Sequence, residues 1–345
     1  MQRCVVCVPP NIASIWPGAV IPGGLIEIHG EALANHSYTP PRVWIGGTRA
    51  RPAFFGRRQI VVQVPAAAST GHVAVQTTGG RSDRANFALG QLLADKVHPV
   101  ANPAIDSNGN VFTTFSGPRG KEADVSLFKI RASDGEVIPF LSGIVNPTGL
   151  AMLADDTLLV SSRHDGTVYA VSPNAEIEVF AEGMGVATGL AVDKDQNVYV
   201  GDRSGTVFKI DKSKRIFVYA TLEPSVAAFH PAFCESDQNL YVCAPSTSSC
   251  ETIQRIDSNG QVQRHWQCFG RPQGIAFDSM DRIYVCASRD GRRGITRLKG
   301  ISSGEGAEVL EHVVSGQGIV GIAVAPDDSL VVATGSGIYK LPPIP

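Results

Sequence analysis

One histidine stands where a proton could be handed on: His230, followed directly by Pro231. At matching places along the chain, one residue ahead of a recurring Gly, stand Thr148, Thr188 and Gln273, with Ala101 and Val320 as apolar counterparts. Hydroxyl, amide and imidazole groups can orient a sugar-like ligand, and an imidazole suits general acid–base work near neutral pH. A second set, Arg163, His164, Asp202, Arg203 and Arg289, occupies turns that would emerge beside the first. Across those turns the basic residues Arg119, Lys121, Arg163, Arg203, Arg289, Arg292 and Arg293 outnumber Glu122, Asp124, Asp165, Asp202 and Asp290. The surplus points to an anionic ligand, such as a sugar acid or another carboxylate, which Arg can hold bidentately.

Other short motifs fail on context. Gly316-Gln317-Gly318-Ile319-Val320-Gly321 has the letters of a dinucleotide fingerprint, but it leads into a strand pattern and offers no helix N-terminus to a pyrophosphate. Asp106-Ser107-Asn108-Gly109-Asn110 and Asp257-Ser258-Asn259-Gly260 resemble calcium loops, yet Gly comes too early and each joins two strands. Both are expected to be hairpin turns. Cys4-x-x-Cys7 has the spacing of half a zinc site, with no second pair or His to complete it.

The elements that would position these residues repeat. Gly189 to Val192, Val198 to Val200, Thr206 to Ile210 and Arg215 to Ala220 read as four short strands, rich in β-branched and aromatic residues and separated by Asp, Asn and Gly turns. The first residue of the second strand recurs as Val111, Leu158, Val198, Leu240, Ile283 and Leu330, at intervals of 40 to 47 residues. A period in the forties with four strands per unit predicts a β-propeller, and six markers predict six blades. Nine residues ahead of the markers stand Asn102, Gly149, Gly189, Pro231, Gly274 and Gly321. Glycine suits an inner strand where six backbones crowd one axis.

The wording of these units, Asn146-Pro147-Thr148-Gly149-Leu150-Ala151, Gly189-Leu190-Ala191-Val192-Asp193 and Arg271-Pro272-Gln273-Gly274-Ile275-Ala276, resembles NHL repeats and the SMP-30/gluconolactonase family. That resemblance covers roughly the last three quarters of the chain. It implies either a non-catalytic propeller that binds a ligand or protein on its central loop face, or a metal-dependent sugar-lactone hydrolase or related lyase holding Ca²⁺ or Zn²⁺ there. In the hydrolases a Glu, an Asn and an Asp line the mouth. Here Ala101, Thr148, Thr188 and Gln273 stand in those places, so the expected reading is a binder with no cofactor.

Residues 9 to 89 form a different unit. Ile26-x-Ile28, Val43-x-Ile45, Ile60-x-Val62-x-Val64 and Val73-x-Val75 alternate between Gly and Pro turns, the pattern of a small two-sheet sandwich. With its Pro22-Gly23-Gly24 and Ile45-Gly46-Gly47 turns, it resembles the immunoglobulin-like TIG/IPT fold. The expected architecture is therefore all-β: a sandwich over 1–90 and a six-bladed propeller over 91–345. The last blade lacks a fourth strand of its own, because Pro342 and Pro343 follow Leu341, so the stretch from Phe87 to Leu93 is expected to close it.

With net charge −2, nothing in the composition calls for nucleic acid, and no apolar run is long enough to span a bilayer. The start is too short in apolar residues for a leader, which reads as cytoplasmic for the sequence as written and extracytoplasmic for a truncated start. Seven cysteines suit free thiols better than a disulfide framework. Cys243 and Cys286 occupy equivalent core positions, while Cys243 and Cys250 flank one loop and are a potential bridge.

Overall fold

The computed structural model describes residues 8–35, 39–115, 117–299 and 309–345. The Cys4/Cys7 pair lies outside them. No helix among the described residues is long and apolar enough to cross a membrane.

Alternation builds the N-terminal sandwich. Ile26, Ile28, Val43, Ile45, Ile60, Val62, Val73 and Val75 are fully buried in one core with Leu33 and Phe87. One sheet joins Asn11–Trp16, Leu25–Glu31, Gln59–Gln63 and Pro52–Phe55, and the facing sheet is built on Arg42–Ile45 and His72–Thr77.

The remaining strands form six blades of four antiparallel strands around an axis: five are separate four-stranded sheets, and blade five supplies four strands of a six-stranded sheet. Blade three, for example, runs Ala187–Val192, Val198–Asp202, Thr206–Ile210 and Ile216–Thr221 from the inside outward. Each second strand is buried along its length, except for the last three residues of Ile283–Arg289 in blade five, so neighbouring blades pack through Leu158, Val198, Leu240, Ile283 and Leu330. The inner-strand glycines are as crowded as their spacing predicts. A Cβ on Gly149 would strike the Thr188 carbonyl, and one on Gly274 would come within 2.6 Å of the Gly321 Cα. Where blade one has Asn102 instead, its side chain donates to the Ile275 carbonyl at 3.1 Å and accepts from Ile322 N at 3.1 Å, tying blade one to blades five and six.

The calcium-like loops are hairpin turns. Asp106 Oδ1 accepts hydrogen bonds from Asn108 N and Asn110 N, and Asp257 Oδ1 accepts from Asn259 N and Gln261 N.

Closure of blade six differs from the expectation in its position. The closing strand is Gln91–Asp95, antiparallel to Gly337–Leu341, with a bulge between Leu92 and Ala94. Ala88–Leu89 pairs elsewhere, running parallel to Ala19–Val20, which in turn runs parallel to Val314 and Ser315 on the outer strand of blade five. The chain changes sheets at Gly90, whose N–H bonds the Val20 carbonyl at 2.8 Å. Thus the sandwich extends blade five while the segment after it completes blade six. Ile21 N to the Ser315 carbonyl (3.0 Å) and Leu25 N to Ser315 Oγ (2.9 Å) fasten the junction, and Ala19 and Ile21 are buried in the core of blades five and six.

Candidate functional site

The loops that lead into the inner strands and those joining second to third strands emerge on one face of the ring. Blade one's loop is anchored by Asn146: its Oδ1 accepts from Gly120 N at 2.7 Å, and its Nδ2 donates to the Gly117 and Pro118 carbonyls at 3.2 and 3.1 Å. Asn146 has a φ of 49°, a left-handed conformation that asparagine tolerates better than most residues. Sequence reasoning quoted Asn146 as part of a repeat and missed this role, for which an Asn before Pro in a turn was the available signal.

The anchored loop carries Arg119 toward Arg163 of blade two and Arg203 of blade three. Arg163 is half-buried, and burial first, then repulsion from Arg119 and Arg203, pushes its guanidinium below the usual arginine range. Arg203 is aimed by a hydrogen bond from its Nε to the Ser225 carbonyl at 3.1 Å. His164 lies beside the blade-one loop, its Cε1 being 4.0 Å from where a Cβ on Gly120 would stand. Arg163 is therefore within electrostatic reach of guanidinium groups from the two flanking blades.

Two of the acidic residues among them, Asp165 and Asp202, are occupied. Asp202 is 4 % exposed and accepts from Val186 N at 2.9 Å, Ser204 N at 3.0 Å and the Ser204 hydroxyl. Burial opposes ionisation of Asp165, but hydrogen bonds led by that from Tyr169 outweigh it and hold the carboxyl below its usual range. Both carboxylates close their own turns. The hydroxyls are engaged as well: Thr148 Oγ1 donates to the Asn146 carbonyl at 3.2 Å, and Thr188 Oγ1 donates to the Gly201 carbonyl at 2.9 Å while accepting from Phe229 N at 3.0 Å.

His230 sits at the start of blade four's inner strand, 3 % exposed and paired in register with Cys243. Burial pushes its pKa down to about 4, so the imidazole is neutral at neutral pH. Because the unfolded chain binds a proton near pH 6.5 that the folded chain refuses, stability should fall as pH drops from about 6.5 toward about 4, by on the order of 3 kcal/mol. Urea midpoints measured across that window should show this fall in the wild-type chain and a shallower one in His230→Gln. Equal slopes would show that His230 is not responsible.

Other expected members lie apart from the arginine patch. Gln273 is half-buried, with its N–H on the Cys286 carbonyl at 2.7 Å. Arg289 lies 5.8 Å from the Phe269 ring centroid, with its Nε 3.6 Å from Asp290. Arg292 and Arg293 turn away from the axis and line a cleft of about 200 Å³ between the sandwich and blade five. There Arg292 lies 4.4 Å from the Trp16 ring centroid and 3.3 Å from Glu27. Docking of the sandwich draws them there, and nothing in the repeat pattern signals it. The Cys243–Cys250 bridge does not form: both thiols are free, Cys243 buried and Cys250 exposed. Cys243 pairs in register with His230 and Ile253 inside the blade, which turns its side chain into the core, where Cys286 is also buried.

Comparison with known proteins agrees with this architecture. Residues 10–91 match the family model described as IPT/TIG domain. No curated protein matches the chain. Among solved structures, an auxiliary nutrient binding protein from Bacteroides thetaiotaomicron VPI-5482 is 13 % identical, with 96 % of this chain and 97 % of that one covered and a TM-score of 0.54. A putative gluconolactonase is 16 % identical over 74 % of this chain and 92 % of its own, with a TM-score of 0.57. A catalytically inactive histidine-to-alanine variant of virginiamycin B lyase from Staphylococcus aureus, solved with quinupristin, is 13 % identical over 93 % and 99 %, with a TM-score of 0.52. At these identities the likeness is one of fold.

Proposed function

We propose that this chain is a non-catalytic binding protein whose ring holds a small anionic ligand, a sugar acid or related carboxylate, over the loop face. The observation that carries the reading is that Arg163 lies within electrostatic reach of both Arg119 and Arg203, which come from two other blades. Like charges that repel in the free protein are relieved by an anion, so part of the binding energy is stored in the site. The neighbouring carboxylates Asp165 and Asp202 cannot serve as general bases without giving up the turns they close. For the same reason the residues in the metal-ligand places fit a divalent cation poorly: Ala101 has no side-chain oxygen, and the Thr148 and Thr188 hydroxyls are spent on backbone groups. A nutrient-binding name on a protein that aligns with 96 % of this chain supports the same reading.

The alternative, a lactonase or lyase using His230, is favoured by one feature, the placement of a buried neutral imidazole at the start of an inner strand. Isothermal titration with uronic and aldonic acids, beside their neutral parent sugars, separates the two. Binding should be restricted to the acids and weaken as salt rises. Arg163→Ala should weaken it by about 10- to 100-fold, the worth of a charge-assisted hydrogen bond. Equal binding of neutral sugars, or turnover of sugar lactones stimulated by Ca²⁺ or Zn²⁺ and lost in His230→Ala, would replace this reading with the alternative.

A further inference from the structure

Two exposed cysteines, Cys250 and Cys268, stand at the end of the strand pair Glu251–Ile256 and Val262–Phe269 in blade four. The register there is Glu251 opposite Phe269, with a bulge before Ile253 opposite His265. In a regular ladder Cys250 would face position 270, two residues beyond Cys268. Cys268 instead has a φ of 66°, which turns the strand within the bulge, one residue short of Phe269 opposite Glu251. Interaction with Cys250 is the first cause holding the Cys268 thiol above its usual range, as expected of two thiols brought within reach of each other at the bulge. A disulfide needs adjacent chains and converging side chains, and the bulge supplies both.

We propose that Cys250 and Cys268 are a redox pair that closes to a disulfide across the edge of blade four. The oxidant is a low-molecular-weight disulfide such as oxidised glutathione. One cysteine, as thiolate, attacks it to form a mixed disulfide and release one small thiol. The second then attacks the mixed disulfide, forming the Sγ–Sγ bond and releasing the other small thiol. Two protein thiols are oxidised, one small disulfide is reduced, and their two protons pass to the two small thiols released. Cys243 and Cys286 are spectators, because burial pushes both thiols up and keeps them from the oxidant.

The pair reaches the loop face by a short path. Cys250 is braced to Ser248 by two hydrogen bonds of 3.1 Å, and Glu251 holds Ser246 through its N–H at 2.7 Å and its hydroxyl at 2.9 Å. At the other end of that loop the Pro245 carbonyl accepts from Ser225 Oγ at 2.6 Å and Val226 N at 2.9 Å, and the Ser225 carbonyl holds Arg203. Closing the bond pins the 244–250 loop at its free edge.

Oxidised glutathione, added to the whole chain carrying Cys4→Ser and Cys7→Ser, gives the test. Peptide mapping should find Cys250 joined to Cys268, with the link reversed by reduced glutathione. Amides 246–250 should then exchange with solvent about tenfold more slowly. Cys250→Ser and Cys268→Ser should each abolish the link, and Cys243→Ser should leave it intact. Mixed disulfides alone, a link from either residue to another cysteine, or no reaction of the folded wild-type pair would each overturn the proposal. The linkage is read from the peptides, so it stands or falls apart from any ligand of the ring.

Discussion

Gly189→Val should cost the ring at least about 3 kcal/mol, well above the ordinary effect of one substitution. A Cβ at this position would meet the Phe229 carbonyl oxygen and Pro231 Cδ at once, and would lie 2.9 Å from the Phe229 carbonyl carbon. These are the backbone of the next blade and a ring locked by that backbone, so no side chain can swing aside. Two further methyl groups leave no rotamer free. With about 2–4 °C lost per kcal/mol for a unit of this size, the melting temperature should fall by roughly 6–12 °C. Gly335→Ala is the control: nothing lies within 4 Å of its added Cβ, and its stability should change by less than about 0.5 kcal/mol. Thermal unfolding of both variants measures the contrast. A Gly189→Val protein as stable as the wild type would mean the blades are not packed backbone to backbone at the axis.

The second large effect is expected at the seam of blade six. Ala94, 3 % exposed, packs among Val97, Val331, Ala333 and Ile338, and its carbonyl abuts Gly337. Ala94→Asp would place a carboxylate in that cluster at a cost of several kcal/mol. The strand Gln91–Asp95 should detach and bare the edge of Gly337–Leu341, so the variant should self-associate on size exclusion while losing urea resistance. The buried carboxyl would have a folded pKa above its unfolded value, so lowering the pH through that value should restore part of the loss. Gln91→Asp, on the exposed end of the same strand, should do neither. If Ala94→Asp and Gln91→Asp behave alike, the seam is not what keeps the ring shut.

The blades were legible because most of their strands are long enough to show a pattern and the markers recur. The sandwich core was legible because alternating Val and Ile have only one side on which to hide. Ala19–Val20 was not, since two residues between Pro17 and Pro22 carry no period, and only the docked partner makes them a strand. That one contact also explains why closure was expected four residues too early: Ala88 and Leu89 are apolar enough for the seam, but Val20 takes them first. At the loop face, turns could be assigned to blades from spacing. The reach of long side chains could not, so Arg163 and Arg203 were counted in one basic surplus with Arg292 and Arg293, which the sandwich draws away. Cys250 shows the same limit. Nearness in sequence suggested Cys243, whereas the alternation within Asn239–Cys243 turns that thiol inward and leaves Cys268, across the bulge, as the neighbour.

Gln91 pairs with Lys340, about 250 positions away along the chain. A polypeptide emerging from the ribosome would therefore present its clasp early and wait for the strand around Lys340 before the circle could be fastened. Contacts of such separation are slow to form, and until they do the unfinished wheel keeps a sticky rim at each end. The nascent chain should be most vulnerable to aggregation, and most in need of chaperone help, until the strand Gly337–Leu341 has emerged.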